Sequence, residues 1–150
     1  MIPLVKGFIP WSVVERDLCA ARTIWLATTR PDGRPHAVPV WFVWLAGAVY
    51  TISGRDLQKA VNLRNQSWAV LHLGSGDDTL IIEGHAARVE DPAEVDMVDR
   101  AWAAKYVDPF SGAHDTVRAP DADLWKVTPS HVMTWAYGDI GTRTDWRGAA

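Results

Sequence analysis

The stretch Ser53-Gly54-Arg55-Asp56-Leu57-Gln58-Lys59-Ala60-Val61-Asn62-Leu63-Arg64 carries the clearest chemistry in the chain. An extended segment ending in a small hydroxyl residue and glycine, with one cation in the next loop and another a turn into the following helix, presents free amides, a positive helix end and mobile charge together. That combination suits a phosphate. The bland alternative is that Arg55, Lys59 and Arg64 are the solvated face of a short helix. Two features favour the phosphate. The preceding apolar strand around Pro39 offers a flat greasy slot, and the charge is divided: residues 1–64 hold 8 basic and 4 acidic side chains, the remainder 7 and 14. An anionic ligand is expected in the first half.

Other catalytic patterns are missing from the sequence: it has no Gly-x-Ser-x-Gly elbow, no phosphate loop ending in Gly-Lys-Ser/Thr and no His-Glu-x-x-His. The histidines His36, His72, His85, His114 and His131 stand singly, without metal-ligand spacing, which favours ordinary structural or surface roles. His36 and His85 stay as weak pocket candidates, and Asp77-Asp78 reads as a solvated loop pair. No metal site is expected.

The scaffold for such a site must come from 150 residues, 48% hydrophobic and 22% charged, which suits one domain with one core. The single cysteine, Cys19, cannot close a disulfide within the chain and is expected to be buried and inert. No apolar run of signal-peptide length opens the chain and no 18-residue apolar stretch occurs, so a cytoplasmic chain without a membrane span is expected. The net charge of −3 gives no pull toward nucleic acid. Nine tryptophans must fill a core, line a pocket or anchor an interface. Trp25, Trp44, Trp68 and Trp102 read as core or dimer packing, and Trp41, beside Pro39, as a possible pocket wall.

Ser12 and Glu15 have capping-box spacing for a helix from about Trp11 to Ala21. Thr23 to Thr29 reads as a strand and Arg30-Pro31-Asp32-Gly33 as a turn. Pro35 to Leu45 is apolar on both alternating faces, which predicts a strand covered on both and broken, bulged or at an edge at Pro39. A strand Ala48 to Ile52, a short helix Leu57 to Asn65 and a strand Trp68 to Leu73 follow. Thr79 to Val89 is a long strand with Gly84 at a bulge or barrel corner. Asp91-Pro92-Ala93-Glu94 opens a helix with the stripe Val95, Val98, Trp102 and Tyr106. After a loop over Asp108 to Asp123, Leu124 to Val127 and His131 to Tyr137 are final strands divided at Pro129. Hairpin-length links leave no room for parallel crossovers, so the fold class is mainly β with some helix (α+β): an antiparallel barrel with a few flanking helices.

Several of these segments, in this order and spacing, resemble the split β-barrel family related to pyridoxamine-phosphate oxidase, and within it the actinobacterial branch that uses the deazaflavin coenzyme F420. The segments are Thr23 to Thr28, Pro31-Asp32-Gly33-Arg34-Pro35-His36, Val38-Pro39-Val40-Trp41-Phe42, Gln58 to Arg64, Ile82-Glu83-Gly84-His85-Ala86 and Val127-Thr128-Pro129-Ser130-His131-Val132. The resemblance implies a homodimer with two cofactor sites at the subunit interface. It implies Lys59 and Arg55 as phosphate ligands, Ser53 and Gly54 as the loop beneath them, Ala60 beside Lys59, and Val38, Pro39, Val40 and Trp41 along the ring. Aromatic abundance and position add Trp68, Trp135 and the tail around Trp146 as candidates for the neighbouring subunit's pocket. The cofactor implied is F420, with FMN as the alternative, and the reaction a hydride transfer to an unsaturated small-molecule substrate. The chain lacks the substrate-phosphate arginines and C-terminal signature of the true oxidases, which argues against vitamin B6 oxidation. A rival reading is a non-catalytic cofactor- or haem-binding barrel, with His36, His72 or His85 as axial ligand.

Overall fold

The computed structural model describes residues 4–74, 76–136 and 138–148. Its elements are β1 (Leu4–Lys6), α1 (Trp11–Ala20), β2 (Thr23–Thr29), β3 (Pro35–Trp41), β4 (Val43–Leu45), β5 (Ala48–Gly54), α2 (Gln58–Asn65), β6 (Trp68–His72), β7 (Thr79–Arg88), α3 (Pro92–Lys105), β8 (Ala122–Trp135) and β9 (Thr144–Arg147). All the strand pairs are antiparallel, in the order β1-β9-β8-β7-β6-β2-β3, with β4 and β5 branching from β8. The branch splits the barrel: one edge of β8 pairs with β5 over Ala122–Val127 and with β9 over His131–Thr134, while β7 runs along the other edge.

Local chemistry sets several of these elements. The β2–β3 hairpin turns at Gly33, whose φ of +86° suits a residue without Cβ. Asp91 caps α3 by accepting the Ala93 amide at 3.1 Å, with Pro92 in the first turn. Val98 and Trp102 of α3 are fully buried with Tyr106, Tyr50 and Val43 in one core. A second core joins Val14 and Leu18 of α1, Ile24 and Leu26 of β2, Val40, Ala60, Leu71, Ile82 and Val127.

Gly84 has a steric reason. A Cβ there would lie 2.3 Å from the Thr128 carbonyl oxygen, and the register slips so that Ser130 of β8 has no partner between Glu83–His131 and Gly84–Pro129. The same bulge accommodates Pro129, so β8 runs unbroken where a division was expected. Gly84→Ala is expected to lower unfolding free energy by about 1–3 kcal/mol in urea titrations, since the opposing atom is backbone.

Other expectations are corrected. Pro10, not Ser12, precedes α1, and no side chain caps it. Glu94, in the first turn of α3, accepts from the Tyr50 hydroxyl and the Lys126 ammonium and so ties the helix to β5 and β8. Cys19 is exposed, not buried. The strand runs through Pro39 because β3 is the edge strand, as one of the expected alternatives had it, and it is interrupted instead at Phe42, whose amide and carbonyl are both bonded to the Tyr106 hydroxyl. Only one face of β3 is covered: Val40 is buried and Val38 half-buried, whereas Ala37, Pro39 and Trp41 are exposed. Strands β1 and β9 were not expected. Trp146 of β9 is buried in the protein's own core, edge-on to Trp11, rather than in a free tail.

A charged network ties β7, β8 and β9 together. His131 places Nδ1 3.2 Å from Glu83 and Nε2 2.9 Å from Asp145, whose carboxylate also takes Arg143 at 2.9 and 3.0 Å. Hydrogen bonding from Arg143 holds the Asp145 carboxyl well below the usual carboxylate range against the opposing push of burial. A carboxyl lowered in the folded state adds stability that is complete above about pH 4 and lost as pH falls further. Unfolding measured from pH 6 to pH 3 is therefore expected to show an acid loss that Asp145→Asn flattens by about 1 kcal/mol.

Candidate functional site

The residues Ser53, Gly54 and Arg55 lie differently from the sequence expectation. Ser53 and Gly54 belong to β5, paired with Asp123 and Ala122 of β8, so their backbone is in the ladder rather than in a free loop. Ser53 is buried and its hydroxyl donates to the Gly54 carbonyl at 3.2 Å. The Arg55 amide donates to the Asp121 carbonyl at 2.9 Å. Its Nε lies 3.0 Å from Asp123, while Arg64 bonds the Arg55 carbonyl and stands 3.9 Å from the other Asp123 oxygen. Two of the three cations are thus held by one buried carboxylate.

Lys59 is the exception. Ala60 and Leu63 seat α2 in the core, and the fully buried Asn62 donates to Thr28 Oγ1 at 2.8 Å, hitching the helix to β2. Ala60 has no exposed surface, so its part is to anchor α2 rather than to touch a ligand. This anchoring leaves Lys59 on the flank, half-buried and with no ion-pair partner among the described residues. Burial holds its amine below the ordinary lysine value.

Two further groups face the same place. His36 of β3 has a buried Nδ1 without a hydrogen-bond partner. Burial first, then the charges of Arg30 and Lys59, keep its imidazole below the ordinary histidine value. Arg30 is fixed by Gln58 Oε1 at 2.8 Å, and Gln58 passes the chain to Asn62 at 2.7 Å. Three groups able to carry positive charge therefore converge where the β2–β3 hairpin meets α2, and no carboxylate is among the interactions that shift His36 or Lys59. Such a seat can take a phosphate through charge-assisted hydrogen bonds. The sequence reading gives His36 only as a weak pocket candidate and does not single out Arg30, which stands in the turn just ahead of the same strand.

The strand leading away from this seat has an apolar outer face. Trp25 lies opposite Pro39 and His72, Ala27 opposite Ala37 and Val70, and Trp68 opposite His85. Trp25 stacks on His72 at 4° between planes and Trp68 tilts onto His85 with ring centroids 4.0 Å apart. Trp25, Trp41, Trp68 and Val70 are all exposed. Trp41 lies parallel to Tyr106, 4.6 Å between ring centres, with the Arg22 guanidinium 5.0 Å from its ring. Trp135, half-buried, lines a separate cleft with Phe8 and Leu80. Among the described residues no three His, Cys, Asp or Glu side chains converge as a metal site, and no helix is long and apolar enough to cross a membrane.

A nine-stranded antiparallel sheet split around one bulged strand, with a cationic seat beside an edge strand, defines a split β-barrel protein. The chain belongs to the pyridoxamine 5'-phosphate oxidase family, whose profile matches residues 13–136. Comparison with curated proteins gives no match. Among solved structures, a conserved hypothetical protein of Mycobacterium tuberculosis is similar with a TM-score of 0.72 and 22% identity, over 91% of this chain and 90% of that one. The haem storage protein HutZ of Vibrio cholerae aligns with a TM-score of 0.69 and 17% identity over 85% and 95%. An F420 reductase aligns with a TM-score of 0.61 and 19% identity over 79% and 94%. Identities this low speak for the fold alone.

Proposed function

We propose that this chain is a homodimeric oxidoreductase that holds F420, or FMN as the alternative, against the outer face of β3 and passes hydride to an unsaturated small-molecule substrate. The observation that carries this reading is the convergence of Lys59, His36 and Arg30, with a buried imidazole nitrogen left unpaired. An orphaned polar atom beside an uncompensated amine fits the anionic tail of a flat cofactor, so the residues present suit the group that the family implies.

Lys59 and His36 would hold the phosphate, with Arg30 kept in place by Gln58. Of the strand residues, the exposed Pro39 and Trp41 would give the ring an apolar bed, with Trp41 braced by Tyr106, while Val38 and Val40 would back it from the covered face of β3. Arg55, tied to Asp123, would contribute at longer range. When bound, the cofactor supplies the hydride chemistry; the protein supplies position, burial and electrostatics. The outer face of β2, β3 and β6 would be covered by the second subunit, which would exclude water from the ring. A cytoplasmic setting belongs to the same proposal.

Equilibrium titration of the purified protein with F420 and with FMN tests this reading, followed by oxidation of the reduced cofactor with a panel of quinones and enones. Saturable binding with turnover is expected. Binding without turnover would favour a sequestering protein, and a Soret band lost on substitution of His36, His72 or His85 would favour a haem carrier.

A further inference from the structure

The chain has four lysines, Lys6, Lys59, Lys105 and Lys126. Lys126 lies 2.9 Å from Glu94 and Lys6 lies 3.6 Å from Asp145, so each has a carboxylate partner. Lys59 belongs to the anion seat. Lys105, in the last turn of α3, remains unexplained. Its Nζ is buried with no hydrogen-bond partner, 4.1 Å from the centre of the Phe42 ring and 5.7 Å from that of Tyr106. An aromatic face replaces only part of the hydration that a buried ammonium gives up.

Lys105 also borders an open depression of about 340 Å³ between α1, β4 and α3. The other walls are Val43, Trp44, Ala101 and Ala104, with the exposed Cys19 also lining it. We propose that this cavity is a covalent capture site for small apolar aldehydes, with Lys105 Nζ as the nucleophile. Burial and the nearby Arg22 charge favour the neutral amine that such attack requires, although Cys19 pulls the other way. At rest the amine folds onto Phe42, and capture requires the terminal bonds of its flexible stem to rotate so that the amine turns from that ring toward the cavity. The amine nitrogen bonds to the carbonyl carbon, both amine hydrogens leave with the carbonyl oxygen as water, and a C=N bond remains. No external oxidant or reductant is needed for this step, which is independent of any cofactor.

Treatment of the full chain at pH 7 with butanal and cyanoborohydride, which reduces the imine to a stable adduct, reads the reaction at each lysine by peptide mass spectrometry. Lys105 is expected to react at least tenfold faster than Lys6, with a rate that saturates in butanal. A purely structural lysine would be the slowest of the four, and a Lys105 rate equal to or below that of Lys6 overturns the proposal. Ala104→Leu, at an exposed position on the cavity wall, is expected to cut the Lys105 rate at least fivefold and leave the Lys6 rate unchanged. An unaltered Lys105 rate in that variant removes the cavity from the reaction.

Discussion

Lys59→Ala is expected to weaken binding of the phosphate-bearing cofactor by tenfold to a hundredfold, while Arg55→Ala changes it by less than about threefold. A hydrogen bond to a charged group contributes about 1.5–3 kcal/mol net, which is one to two decades in the dissociation constant. The contrast between the two cations comes from their partners. Removing Arg55 breaks a pair with Asp123 whose arginine is more than half exposed, whereas removing Lys59 takes away a half-buried amine with no carboxylate to satisfy it. The pH dependence has a definite sign. His36 and Lys59 are both held below their ordinary values in the free protein, and an arriving anion favours their charged forms, so binding takes up protons. Affinity should rise from pH 8 to pH 6, and titration calorimetry in buffers of different ionisation enthalpy should register the uptake. Identical affinities for wild type and Lys59→Ala would remove the seat from the binding site.

What the sequence disclosed about this seat, and what it hid, follows from the range of the interactions. Gly84, the Asp91–Pro92 cap and the Gly33 turn were legible because each depends on a few neighbouring residues or on backbone conformation alone. The tie between Arg55 and Asp123 spans 68 positions, and nothing near Arg55 marks Asp123 as its partner. Arg30, His36 and Lys59 come from a turn, a strand and a helix, and long-range ties, from Asn62 to Thr28 and from Arg30 to Gln58, set the distances between them. Trp146 gave the same difficulty. A tryptophan close to the end of the chain reads as a loose tail until the pairing of Leu4 and Val132 on either side of it is known. The two-sided apolar pattern of Pro35 to Leu45 holds at Phe42 and Val43, both buried, whereas over Pro35–Trp41 only one face is covered.

That uncovered face leads to the second large effect: Trp25→Glu combined with Trp68→Glu is expected to convert the proposed dimer into monomers that keep their fold. Both side chains stand outside the two cores, so their replacement leaves no cavity inside the barrel. In a symmetric pair the same surface is used twice, so the double variant places four carboxylates in one interface. Each unpaired carboxylate there costs several kcal/mol, together enough to exceed the stability of an interface of ordinary size. The edge strand adds its own argument. Pro35–Trp41 includes no charged residue, and because Pro35 and Pro39 lack the amide donors that strand addition needs, its apolar face favours covering by side-chain packing rather than by an added strand. Sedimentation velocity at about ten micromolar should show wild type as the dimer and the variant as the monomer, with unchanged far-ultraviolet circular dichroism. Cofactor affinity should fall with dimerisation, because the ring's outer cover is lost while Lys59 stays in place; a monomeric variant that binds as tightly as wild type would confine the site to one subunit.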